Sequence, residues 1–95
     1  MSAYVIGDIE VVDPAAYEEY RKQVLAVVTK YGGKFLVRGG QVDAKEGGWT
    51  PKRIVVLEFP SMAQARKWYD SPEYAPLIKL RQRASKGKLI LVEGA

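Results

Sequence analysis

The sequence predicts an α+β fold of the ferredoxin-like kind, β-α-β-β-α-β. Its antiparallel four-stranded sheet should run in spatial order 4-1-3-2, with both helices on one face. Three observations predict it. Stretches at 3–12, 34–43, 52–59 and 88–93 read as strands. Two helical patterns, each with a start and a stop signal, separate the first strand from the second and the third from the fourth. The last two strands are apolar on both of their faces, so the sheet needs cover on both sides.

The first strand alternates Val5, Ile9 and Val11 against Tyr4, Ile6, Asp8 and Glu10. Asp13-Pro14 then starts a helix, because Asp accepts from free N–H groups and Pro at the first position forfeits no bond. Tyr17, Tyr20, Val24, Val27 or Val28, and Tyr31 form one apolar stripe, and Gly32-Gly33 ends it. The second strand runs from Lys34 to about Asp43, with a bulge expected at Gly39-Gly40. A glycine-rich turn, Lys45–Pro51, carries Trp49 and leads to the third strand, Lys52–Phe59.

Ser61-Met62-Ala63-Gln64 is a capping box that opens the second helix, with Ala65, Trp68 and Tyr69 facing inward. Ser71-Pro72 breaks that helix after Asp70. A further segment, about Pro72 to Ser85, places Tyr74, Leu77, Ile78 and Arg81 on one face and should end at Gly87. The fourth strand is Lys88–Glu93.

In the third strand Ile54 and Val56 alternate with Val55 and Leu57; in the fourth Leu89 and Leu91 alternate with Ile90 and Val92. Two helices cover one face only. At roughly 25 cal/mol per Å² of apolar area, leaving the other open is costly, and a second copy packed sheet against sheet is the simplest cover.

Ninety-five residues with 47% apolar content suit one domain, 1–95, with one core. No apolar run approaches the roughly 20 residues that span a membrane, and Met1–Ile6 lacks the form of a signal peptide, so a cytoplasmic location is expected with no membrane partner. The absence of Cys removes thiol nucleophiles and thiolate metal sites, and the absence of His removes the commonest metal ligand and neutral-pH base. Neither a metal site nor a cofactor is assigned. Any chemistry falls to carboxylates, Tyr, Lys or Arg. The net charge of +4 suits an acidic ligand, or simply a solvated basic surface.

Several stretches together resemble one family. They are Asp13-Pro14 with Tyr17 and Tyr20, Tyr31–Gly40, Gly48–Arg53, Leu57–Ser61, and Trp68–Tyr74 followed by Arg81. The chain resembles the DUF1330 family of the dimeric α+β barrel superfamily over nearly its whole length. The resemblance implies a homodimer whose two sheets form a barrel, with a cavity beside each sheet. It implies no activity. Wider relatives include cofactor-free monooxygenases, lactone isomerases and haem enzymes, and the last fit worst here for want of an axial His.

Asp8, Arg38 and Glu58 are the ionisable residues set in otherwise apolar strands and are the candidate catalytic group. A hairpin folding about residues 46–47 puts Arg38 opposite Val56, one diagonal step from Glu58, and alternation puts Asp8 on the same face. Arg38 there can hold a carboxylate or enolate, and a carboxylate in an apolar cavity can act as base or acid. The alternative is a structural Arg38–Glu58 pair. Tyr4, Trp49, Tyr69, Tyr74 and Arg81 are candidate ligand contacts. All but Tyr4 have a plainer reading: Trp49 as an anchor on the second subunit, Trp68-Tyr69 as packing, and Tyr74 and Arg81 as a tie between helix and sheet. An RNA-recognition motif shares this element order, but Ile54 and Val56 stand where that motif needs stacking aromatics, so no nucleic-acid partner is expected. The expected function is a homodimer that binds, and in one reading transforms, a small anionic or carbonyl-containing molecule. The alternative is a non-catalytic dimerisation or regulatory module.

Overall fold

The computed structural model describes all 95 residues. In chain order the elements are β1 (Ala3–Val11), α1 (Pro14–Lys30), β2 (Lys34–Arg38), β3 (Ile54–Phe59), α2 (Met62–Tyr69), α3 (Ala75–Ala84) and β4 (Ser85–Glu93). The four strands form one sheet in the order β2-β3-β1-β4, antiparallel at every pairing. This is the expected ferredoxin-like topology, with the second helix divided in two.

The local signals operate as the sequence suggests. Asp13 caps α1, its Oδ1 accepting from the Ala16 N–H at 3.2 Å. Ser61 caps α2 by accepting from the Gln64 N–H at 3.1 Å. The Gln64 side chain does not return to the cap, however; it donates to the Tyr31 carbonyl at 2.8 Å and ties α2 to the end of α1. At the α2–α3 break Ser71 accepts from the Tyr74 N–H at 3.1 Å and donates to the Trp68 carbonyl at 2.8 Å.

The core lies between the sheet and the helices. Val5 and Ile9 of β1 and Leu57 and Phe59 of β3 meet Tyr17, Tyr20, Val24 and Val28 of α1, Trp68 of α2, and Tyr74 and Leu77 around α3 in one buried cluster. The opposite face carries Ile6, Ile54 and Val56, half-buried, and Leu36, Ile90 and Val92, exposed; no helix covers it.

Three sequence expectations need correction. β2 stops at Arg38 rather than Asp43, because Gly39 turns away at φ +76°. A side chain at Gly39 would also strike the Arg53 guanidinium. The irregularity in β2 is not at Gly39-Gly40 but at Leu36: Phe35 pairs with Leu57, Val37 with Val56 and Arg38 with Val55. Finally, α3 does not run on to Gly87. It ends at Ala84 and passes directly into β4, where Gly87 pairs with Ile9. Glycine is required there for space, since a Cβ would lie 2.6 Å from the Asp8 carbonyl oxygen.

A polar clasp ties the end of α1 to the α2–α3 turn. Glu73 accepts from the Tyr31 hydroxyl at 2.8 Å and from the Lys30 ammonium. The Lys30 bond, then the Tyr31 bond, lower the Glu73 carboxyl from 4.5 to about 2. Folding thus favours its ionised form. The stabilisation is complete above the ordinary carboxylate range and is lost as pH falls toward about 2. The melting-temperature gap between wild type and Glu73→Gln is therefore expected to be widest near neutral pH and to close as pH drops from 4.5 toward 2, followed by circular dichroism. Gly87→Ala should cost about 1–3 kcal/mol by overpacking against backbone, measured by urea denaturation.

Candidate functional site

The most enclosed cavity lies between the helix-covered face of the sheet and the three helices; a wider, more open hollow lies on the helix-free face around Asp8 and Trp49. The helix-side cavity is small and narrow, with a usable volume of about 30 Å³, and is partly open to solvent. Val5 and Gly7 of β1, Val55 and Leu57 of β3 and Leu89 of β4 form its floor. Gly7 carries no side chain, and a Cβ there would meet only Ile9 and Leu89 at ordinary contact distances of 3.5 Å and 3.7 Å. Tyr17, Tyr20, Phe35, Trp68 and Tyr74 supply aromatic walls.

The polar groups of the cavity are arginines, tyrosines and the Trp68 indole N–H, with no Asp or Glu among the lining residues. Arg21, Arg38, Arg53 and Arg81 all contribute. Arg21 meets Glu18 at 3.3 Å on the surface of α1. The other three make no ion pair. Arg38 lies 4.3 Å above the Phe35 ring and donates to the Arg21 carbonyl at 3.0 Å, bridging β2 to α1. Arg53 sits 5.6 Å from the Tyr17 ring. Arg81 is only 7% exposed. Three buried donors have no hydrogen-bond partner: Arg53 Nε, Trp68 Nε1 and Arg81 Nε. All three residues line this cavity.

The Tyr20 and Tyr74 hydroxyls share a hydrogen bond of 2.7 Å. Burial is the main cause that raises both above the usual phenol value, and the bond itself raises Tyr20 further while opposing the rise at Tyr74. Both therefore stay protonated and neutral through the physiological range.

The sequence-derived candidates divide between the two faces of the sheet. Arg38, Tyr74 and Arg81 line the helix-side cavity. Tyr69 stands behind it, edge-on to Trp68 and Tyr74 at 6.0 Å and 5.9 Å. Asp8, Glu58, Tyr4 and Trp49 belong to the helix-free side. There Asp8 accepts from Trp49 Nε1 at 2.9 Å and from the Lys52 N–H at 3.2 Å, which holds the loop before β3 against β1. Glu58 meets Lys34 at 3.3 Å and accepts from the Tyr4 hydroxyl at 3.3 Å. The bond to Lys34 is the leading cause that lowers the Glu58 carboxyl below its ordinary value, the reverse of what a general base requires.

Asp8, Arg38 and Glu58 thus do not converge, and no Arg38–Glu58 pair forms. The reason is the extra residue at Leu36. Strand alternation has a period of two, so one inserted residue sends every later side chain to the opposite face. Arg38 lies across from Val55, which lines the cavity, rather than from Val56.

Sequence reasoning does not mark Arg53, Tyr17 and Tyr20 as site residues, and it favours packing over a pocket wall for Trp68. The tyrosines were read as part of an apolar stripe, which they are, but a stripe of Tyr also carries hydroxyls that need partners when buried. Trp68 carries the same signal in its indole N–H.

Comparison with known proteins places the fold. The sequence profile described as "Domain of unknown function (DUF1330)" matches residues 2–95. None of the curated proteins matches the chain. Among solved structures, a protein of unknown function from Rhodopseudomonas palustris is similar at 18% identity, with TM-score 0.75 over 99% of this chain and 82% of that one. SnoaB, a cofactor-independent oxygenase from Streptomyces nogalater, is similar at 13% identity, with TM-score 0.68 over 99% of this chain and 93% of its own. An uncharacterized NIPSNAP domain protein from Burkholderia xenovorans is similar at 14% identity, with TM-score 0.64 over 100% of this chain and 95% of that one. At such identities the likeness shows the fold and carries no activity across. The profile match spans nearly every residue, and this chain belongs to the DUF1330 family.

Proposed function

We propose that this protein binds a small anionic or carbonyl-containing molecule in the cavity between its sheet and helices, and works as a homodimer joined through the helix-free face. One observation carries the ligand reading. Three guanidiniums without carboxylate partners line a cavity that holds no acidic residue. A buried cation left alone is unfavourable, and an anionic or strongly accepting ligand answers it.

Chemistry in this cavity is stabilisation of negative charge on oxygen. Arg81 and Tyr74 can donate to an enolate or phenolate oxygen, and the walls exclude water. Asp8 and Glu58 open on the other side, so proton abstraction by either is no part of the reading. Cofactor-free oxidation or isomerisation of a substrate that arrives already ionised remains compatible with these donors, and the shared fold of a cofactor-independent oxygenase supports that direction.

The dimer reading rests on Leu36, Ile90 and Val92, which are 48%, 56% and 41% exposed on a sheet face no helix covers. Trp49, 59% exposed, stands beside that face and is held by Asp8. A second copy would bury this surface.

A thermal-shift screen of a metabolite library on wild type and Arg38→Ala tests the ligand reading. Organic acids should raise the wild-type melting temperature, and the variant should bind them at least tenfold more weakly. Loss of the Phe35 stacking should cost Arg38→Ala only about 0.5–1 kcal/mol of stability. If no compound shifts the wild type and Arg38→Ala changes stability alone, the protein is a dimerisation module. Sedimentation should show a dimer at micromolar concentration, and Ile90→Lys should weaken it at least tenfold.

A further inference from the structure

We propose that the cavity takes a flat organic monoanion, a carboxylate on an aromatic or conjugated body, with its charged oxygens turned inward to Arg81 and Trp68. This rests on the reading that the cavity holds a small molecule, and narrows it to one chemical class and one orientation.

The first ground is the pair of unmet donors. Trp68 is 1% exposed and Arg81 7% exposed, and Trp68 Nε1 and Arg81 Nε have no acceptor in the protein. Both groups only donate. A buried donor without an acceptor forfeits the water it gave up on folding. The two residues flank one ring: Trp68 stacks on Tyr74 at 4.2 Å, and the Arg81 charge acts on the Tyr74 hydroxyl. A carboxylate brings two oxygens to such a site, whereas a lone carbonyl brings one.

The second ground is charge. Arg81 makes no ion pair, and no Asp or Glu lines the cavity. The neighbouring hydroxyls of Tyr20 and Tyr74 share one hydrogen bond of 2.7 Å and stay neutral. Nothing in the protein therefore supplies the missing negative charge. A neutral ligand could fill the donors yet leave the guanidinium uncompensated, and a cationic one would be repelled.

The third ground is shape. The floor is aliphatic and flattened by Gly7, the walls include the Tyr17 and Phe35 rings, and the space is narrow. Aromatic and aliphatic walls in so small a space favour a thin, apolar body over a bulky one. Arg38 over Phe35 and Arg53 over Tyr17 add cationic cover, so an anion meets positive potential along the cavity.

The chain has two tryptophans, which makes the test internal. In 1H–15N spectra of the uniformly labelled full chain, the Trp68 indole reports on the cavity. The Trp49 indole, bonded to Asp8 on the opposite side, is the control. Trp49→Phe assigns the two signals. Benzoate, benzamide and benzylamine are the probes: one anion, one neutral near-isostere and one cation. Benzoate should shift the Trp68 signal saturably, benzamide should bind at least tenfold more weakly, and benzylamine should produce no shift. Arg81→Met should lose at least tenfold in benzoate affinity without a fall in melting temperature, because it removes an uncompensated charge.

Equal binding of benzamide and benzoate would overturn the anion class while leaving the cavity as a ligand site. No movement of the Trp68 signal with any of the three would overturn both. A folded Arg81→Met that melts lower yet keeps benzoate affinity would show Arg81 to be structural and end the proposal. Should that variant not fold, the three-probe comparison on wild type decides alone.

Discussion

The helix layer stands on a stack of aromatic rings. Trp68 lies 4.2 Å from Tyr74 on one side and 5.3 Å from Phe59 on another, and Tyr74 bonds to Tyr20 through its hydroxyl. These four side chains come from α2, the start of α3, β3 and α1. One cluster thus joins every helix to the sheet, with the large apolar burial and ring contacts that aromatic residues provide. It also fixes the depth of the cavity, since Tyr20, Trp68 and Tyr74 are at once core and wall. Folding and the cavity draw on the same residues.

Against this apolar stack the arginines are costly. Arg81 is buried without a carboxylate, and Arg53 and Trp68 keep donors that nothing accepts. A chain selected for stability alone would place an acid here or replace the guanidinium by an apolar side chain of similar volume. On the surface Glu73 answers Lys30, and Glu58 answers Lys34. The buried donors without partners all line one cavity, as expected where a ligand completes what the protein leaves open.

Much of the architecture was readable from local patterns. Asp13-Pro14, Ser61 and Ser71 carry their structural instruction within a few residues, and the helix stripes announce which face is buried. Strand order followed from crossover handedness. What escaped was the consequence of a single inserted residue. Leu36 is apolar and β-compatible, so nothing in its chemistry distinguishes a bulge from a regular strand position; only pairing with Leu57 and Val56 does. That one step moved Arg38 across the sheet and dissolved the expected cluster with Asp8 and Glu58. Gly87 misled for a related reason. A glycine after a helix reads as a terminator, yet here it answers a carbonyl on a neighbouring strand that no local pattern reveals. The buried Arg81 was visible as a residue of interest from its helical spacing with Tyr74, but its lack of a counter-charge is a property of the assembled space.

The sheet is one residue thick, and its two sides meet different surroundings. Val5, Gly7, Val55 and Leu57 look toward the cavity, while Ile6, Asp8, Ile54 and Val56 alternate with them and look the other way. Neither side can therefore drift freely in evolution. A change that alters strand twist or spacing to suit one surface is transmitted through the shared backbone to the other. Divergence within such a lineage should be easiest in the Gly39–Arg53 loop and along the outer helix surfaces, and slowest in the strands that serve as a common partition.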